Sequence, residues 1–111
     1  MRQSAYSFKE LVERFEEGGD RSCFFLNEIG CFMEEGGPEA PKAEAYLRKL
    51  LEGKEIQAKT IAFCYLSSSR RIAQDTAEKV AAFKEDPTNQ AVLVEAVAAA
   101  RRGRQKMMAV N

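Results

Sequence analysis

The sequence predicts an all-α fold of about six helices in three antiparallel pairs, and two observations point to it. The first is internal repetition. Shifting Leu11–Glu17 by 35 positions brings it onto Tyr46–Glu52, and a further shift of 33 brings it onto Lys79–Glu85. Val12, Leu47 and Val80 then coincide, as do Phe15, Leu50 and Phe83. A polar break follows each time (Gly18-Gly19-Asp20, Gly53-Lys54-Glu55, Asp86-Pro87-Thr88), after which the register resumes. It pairs Cys23, Ala58 and Ala91, then Leu26, Ile61 and Val94, then Ile29, Cys64 and Val97. A repeat of about 34 residues is the mark of stacked helical units. The second observation is that apolar residues between the breaks recur at helical spacing.

Taken in order, the first helix starts behind Ser7, which stands three residues before Glu10 in a capping box. Phe8, Leu11, Val12 and Phe15 mark its apolar face, and Gly18-Gly19 stops it. A second helix is expected over Arg21–Glu35, capped by Asp20 or Ser22 and ended by Gly36-Gly37-Pro38. Ala40–Glu52 reads as a third, with Pro41 in the first turn, where its missing amide proton costs nothing. Residues 60–66 within Glu55–Leu66 would also suit a buried strand, and the repeat register selects helix. A fifth helix is expected over Ser69–Lys84, broken by Asp86-Pro87. A sixth, capped by Thr88 or Asn89, is expected to run to Ala100 with Gly103 as its C-cap. Residues 1–103 thus form one helical-repeat domain with units of about 7–36, 40–68 and 69–103, followed by a frayed basic tail over 104–111.

Composition narrows the chemistry. The chain holds no histidine, which removes the Ser-His-Asp triad, the Cys-His pair and histidine metal ligands. No cofactor or metal motif is present, and the expectation is a protein that is not an enzyme. Cys23, Cys31 and Cys64 lack the paired spacing of a disulfide framework and read as buried thiols of a reducing cytoplasm. Met1-Arg2-Gln3-Ser4 lacks the apolar core of a secretory signal, and no apolar run approaches the length of a membrane span. The net charge of zero hides an asymmetry. Residues 1–55 carry 12 acidic and 8 basic side chains, a balance of −4, and residues 56–111 carry 5 acidic and 9 basic, a balance of +4.

The chain resembles HEAT-repeat and related armadillo-type proteins. The similarity lies in Leu50-Leu51-Glu52-Gly53-Lys54-Glu55-Ile56-Gln57 followed by Lys59-Thr60-Ile61-Ala62. It recurs in Phe83-Lys84-Glu85-Asp86-Pro87 followed by Val92, Val94, Ala96 and Val97. The sequence departs from that pattern at Gln57 and Leu93, where the family often carries arginine, and at Gly30 inside the second helix. An irregular helical bundle is the alternative architecture. The resemblance implies a short right-handed stack whose second helices line a concave surface, working as an adaptor or scaffold for protein partners.

Two surfaces are candidates for binding. The second helix carries more apolar residues than one stripe needs, and the fourth repeats the excess. Phe25, Glu28, Phe32, Phe63 and Leu66 are therefore expected on an outer face that docks a partner helix or a second copy. The competing reading is that these helices are wrapped on several sides. The second candidate is a basic edge of Arg70, Arg71, Arg101, Arg102 and Arg104, which would contact nucleic-acid phosphates. Its competing reading is that cations simply favour helix C-termini. Ser67-Ser68-Ser69-Arg70 reads as an ordinary linker, and the acidic pairs Glu16-Glu17 and Glu34-Glu35 lack the alternating spacing of a calcium loop. Leu26, Leu47, Leu50, Ile61, Val80, Phe83, Val94 and Val97 occupy repeat-equivalent positions and are expected to be buried within and between the pairs. If the outer-face assignment holds, Ile61→Ala costs about 2–5 kcal/mol and Phe25→Ala much less.

Overall fold

A computed structural model of the chain describes the backbone of residues 6–69 and 72–110, with side chains for 6–69, 72–99, 101 and 102. It is all-helical: α1 (Phe8–Glu17), α2 (Ser22–Glu35), α3 (Ala40–Leu51), α4 (Ile56–Ser68), α5 (Gln74–Glu85) and α6 (Gln90–Val110). A short 3-10 turn, Pro87–Asn89, joins the last two. No strand forms among the described residues, so residues 60–66 are helical as the repeat register requires.

The helix ends follow local chemistry. At α1 the capping box is complete: Ser7 Oγ accepts from the Glu10 amide at 3.2 Å, and Glu10 Oε1 accepts from the Ser7 amide at 3.2 Å. Gly36 ends α2 with φ of 73°, a left-handed conformation that costs a glycine little. Elsewhere the expected caps are replaced. The N-cap of α2 is Arg21, with no side-chain hydrogen bond, in place of Asp20 or Ser22. Before α6 the cap is Asp86, whose side chain accepts from the Thr88 amide at 2.9 Å. Asn89 instead turns back, its Nδ2 donating to the Phe83 carbonyl at 3.1 Å to satisfy the end of α5.

Helix α5 begins at Gln74, five residues later than expected, because a group on another helix decides its start. Glu44 of α3 accepts from the Ala73 amide at 3.1 Å and from Thr76 Oγ1 at 2.6 Å. Arg48 donates to Asp75 at 2.8 Å and to Thr76 Oγ1 at 3.2 Å, and Lys79 pairs with Glu52. Glu44 and Arg48 of α3 and its C-cap Glu52 stand at i, i+4 and i+8, so one face of α3 and its end present a polar ladder to α5. Helix α6 runs past Gly103 to Val110, because the arginines, glutamine, lysine, methionines and alanine around that glycine are good helix formers.

Helix α4 is the hub and packs against α2, α3, α5 and α6. Its buried residues Ala58, Thr60, Ala62, Phe63 and Leu66 point in several directions, as expected for a helix with neighbours all round. Between α2 and α4 the approach is closest at Gly30, where Tyr65 lays its ring against the helix backbone. A Cβ on Gly30 would stand 2.6 Å from Tyr65 Cδ1 and nearer still to Cγ and Cδ2. The glycine that departs from the repeat pattern is therefore the position that seats the neighbouring unit.

The core runs from Leu11 through Leu26, Ile29, Leu47, Leu51 and Leu66 to Val80 and Phe83. Repeat-equivalent positions do not share its burial. Leu26 and Ile29 are fully enclosed, Ile61 and Cys64 are half-buried, while Val94 and Val97 are 59% and 52% exposed. The expected burial of Ile61, Val94 and Val97 is thus corrected. The reason is that α6 packs on α4 and the 3-10 turn rather than along α5, which leaves its other flank uncovered.

Two stability predictions follow from this packing. Gly30→Ala is expected to destabilise by about 1–3 kcal/mol through overpacking, with strong non-additivity when combined with Tyr65→Ala in denaturant unfolding. Because Phe25 is buried and Ile61 only half-buried, the order expected from the repeat register reverses. Phe25→Ala should cost about 3–5 kcal/mol and exceed Ile61→Ala when the two urea midpoints are compared.

Candidate binding groove

Part of the apolar surface of α4 enters the core, and the rest opens onto a groove. Thr60, Ile61, Cys64, Tyr65 and Ser68 supply the groove's floor, Asn27 and Glu34 of α2 one wall, and Ala96, Val97 and Ala99 of α6 the other. Its volume is about 680 Å³. The floor and both walls are the second helices of the repeat units.

Hydrogen bonds hold the floor in place. Tyr65 Oη donates to Asn27 Oδ1 at 2.9 Å, and Asn27 Nδ2 donates to the Cys23 carbonyl at 2.8 Å. Cys31 Sγ lies 3.8 Å from Tyr65 Oη. The ring of Tyr65 is thus fixed at its base by Gly30 and at its tip by Asn27. The threonine and serine hydroxyls in the floor are used within their own helix: Thr60 Oγ1 donates to the Ile56 carbonyl and Ser68 Oγ to the Cys64 carbonyl, at 2.8 and 2.7 Å. What remains facing outward is mostly carbon. Burial pushes the Cys64 thiol up from its ordinary value, which disfavours the thiolate and with it nucleophilic chemistry. Among the described residues no group of three or more His, Cys, Asp or Glu side chains is placed to hold a metal ion. The groove thus presents mainly apolar surface.

The residues expected to form an outer aromatic face are distributed otherwise. Phe25, Phe63 and Leu66 are buried, at 7%, 7% and 0% exposure, so the open patch is corrected. Phe25 meets Tyr6 edge-on at 5.5 Å, and Phe63 stacks on Phe83 of α5 at 5.3 Å. Phe32 is half-buried against Phe8 at 6.2 Å, and Glu28 is half-buried on α2. The surplus aromatics are there because α2 and α4 have neighbours on several sides. Of the five, Phe63 alone reaches the lining of the groove. Ile61, Cys64 and Val97 were assigned to the core by their shared register, so they were not candidates for a surface.

The basic edge is not assembled by the described residues. Arg101 and Arg102 are exposed on α6, and Arg102 donates to Glu95 of the same helix at 2.9 Å. Arg70, Arg71 and the side chain of Arg104 lie outside the described residues.

A second hollow of about 420 Å³ gathers Arg48, Glu52, Lys59, Lys79, Asp86 and Thr88 between α3, α4 and α5. Its charges largely answer one another. The hydrogen bond from Arg48 holds the Asp75 carboxyl below its usual range, and that from Lys79 does the same for Glu52. The Thr88 hydroxyl and amide lower Asp86. This hollow belongs to the ladder that fastens α5. No protein-family model, curated protein or solved structure matches the chain.

The ladder carries a pH prediction. Carboxyls with a lowered folded-state pKa contribute stability above their unfolded value, and this is lost as pH falls through the folded one. Urea midpoints should therefore stay level down to about pH 5 and fall below about pH 4, with a smaller fall in Arg48→Met.

Proposed function

We propose that the chain is a non-enzymatic interaction module, a short HEAT-like helical stack that docks a protein segment in the groove along its second helices. The observation that carries this reading is the groove itself: about 680 Å³, mostly apolar, with a floor fixed by Tyr65, Asn27 and Gly30. An amphipathic helix laid into an apolar groove is a recurrent mode of peptide recognition, read out by anchors at helical spacing. The position also agrees with the concave face that the HEAT resemblance implies. A partner would cover Ile61, Tyr65 and Val97, and the docking role assigned from sequence to the aromatics of α2 and α4 passes to these residues. Three unpaired cysteines fit a reducing compartment such as the cytoplasm.

Two substitutions at exposed apolar positions test the reading without disturbing the core. Val97 lines the groove, and Ile56, 55% exposed, lies outside it. In affinity capture from native extract, a specific partner should be retained by Ile56→Asp and reduced about tenfold by Val97→Asp, with circular dichroism unchanged in both. Capture that ignores Val97→Asp would place the binding surface elsewhere, and the absence of any specific partner would count against a module of this kind.

A further inference from the structure

Helix α5 is attached along a narrow stripe. Thr76, Val80 and Phe83, at i, i+4 and i+7, are its buried residues, and the other nine residues of Gln74–Glu85 are exposed. Thr76 is polar, so the enclosed apolar side chains of α5 are Val80 and Phe83. Helix α6 packs on α4 and the 3-10 turn rather than along α5, so the seat of α6 does not depend on α5. We infer that α5 is a strap that opens and recloses as a unit while α1–α4 and α6 stay folded. Opening uncovers an apolar surface on α4 at Phe63, whose ring the closed strap covers with Phe83 at 5.3 Å. This holds whether or not the groove docks a partner.

Polar contacts do much of the holding. At the start of the strap Glu44 accepts from the Ala73 amide and from Thr76 Oγ1, and Arg48 donates to Asp75 and Thr76 Oγ1. One turn further on, Lys79 pairs with Glu52. At the far end Asn89 Nδ2 donates to the Phe83 carbonyl. The Asp75 and Glu52 side chains are 69% and 64% exposed, so water and salt reach both ion pairs. Exposed pairs of this kind hold weakly and are screened as ionic strength rises. The apolar contacts of Leu11, Leu26, Ile29 and Leu47 that join α1 to α4 carry no such dependence. An element with few enclosed apolar side chains and an exposed polar fastening opens at a lower free energy than the whole fold. Because the stripe is narrow, that opening exposes little surface and responds weakly to urea.

Amide hydrogen exchange of the full chain, followed residue by residue at low urea, tests the inference. Amides over 77–85 should exchange about tenfold or more faster than those of Leu26–Gly30 and Ala62–Leu66, with a smaller urea dependence. Arg48→Met should speed exchange in α5 about tenfold and leave α2 and α4 unchanged. Glu52→Gln, at an exposed position, should do the same to a lesser degree, and it serves as the test if the Arg48 variant does not fold. Raising salt from about 0.05 to 1 M should quicken α5 selectively in the wild type and have less effect in either variant. If α5 exchanges as slowly as α2 and α4 and with the same urea dependence, it opens only with the whole fold and the inference fails. It fails equally if the substitutions speed exchange in every helix alike.

Discussion

The contact on which the rest of the molecule depends is the ring of Tyr65 lying on the backbone of Gly30. It sets how near α4 comes to α2, and α4 is the helix that α3, α5 and α6 also use. A side chain at position 30 would push the two helices apart and shift the floor of the groove, since that floor is the outward side of the same stretch of α4. The hydroxyl of Tyr65 then reaches Asn27, so one residue joins close packing at its base to a polar lock at its tip. Ordering an aromatic ring costs little rotamer entropy compared with a long flexible side chain, which suits a fixed surface.

The N-terminal and C-terminal parts of the fold are held by different forces. From α1 to α4 the contacts are chiefly apolar, through Leu11, Leu26, Ile29 and Leu47. Helix α5 has fewer enclosed side chains, Thr76, Val80 and Phe83, and relies on Glu44 and Arg48 of α3 and on that helix's C-cap Glu52 to fix its start and its orientation. Burying the Thr76 hydroxyl is tolerable because it donates to Glu44 and accepts from Arg48, and an unsatisfied one would carry the desolvation cost. Helix α6 packs on α4 along Val92 and Ala96, which turns Val94 and Val97 outward.

Much of the fold was legible in the residues, and the reasons differ by element. The capping box at Ser7 and Glu10, the glycine stops at Gly18 and Gly36 and the helical state of α4 all rest on local chemistry that needs no tertiary knowledge. The start of α5 was not legible, because the groups that cap Ala73 and Thr76 sit about 30 residues earlier, on α3. The groove was missed for a related reason. Repeat register assigns equal burial to Leu26, Ile61 and Val94, but burial depends on what covers each one: Leu26 is enclosed, Ile61 faces the groove and Val94 lies on the uncovered flank of α6. The surplus phenylalanines misled in the opposite sense: Phe25 and Phe63 look like an outer face until Tyr6 and Phe83 are seen to cover them. Gly30, a departure from the repeat pattern, held the one sequence signal for the groove, since a shift of 35 places it opposite Tyr65.

The central claim is that association takes place along the second helices, over α4 and beside α6. The most direct test is to record amide chemical shifts of the labelled chain with and without a captured partner. The account predicts that perturbations concentrate over Thr60–Ser68 and Val94–Arg102, with α1 and α5 unchanged. Perturbations confined to α1 and α5, with those two segments silent, would contradict it.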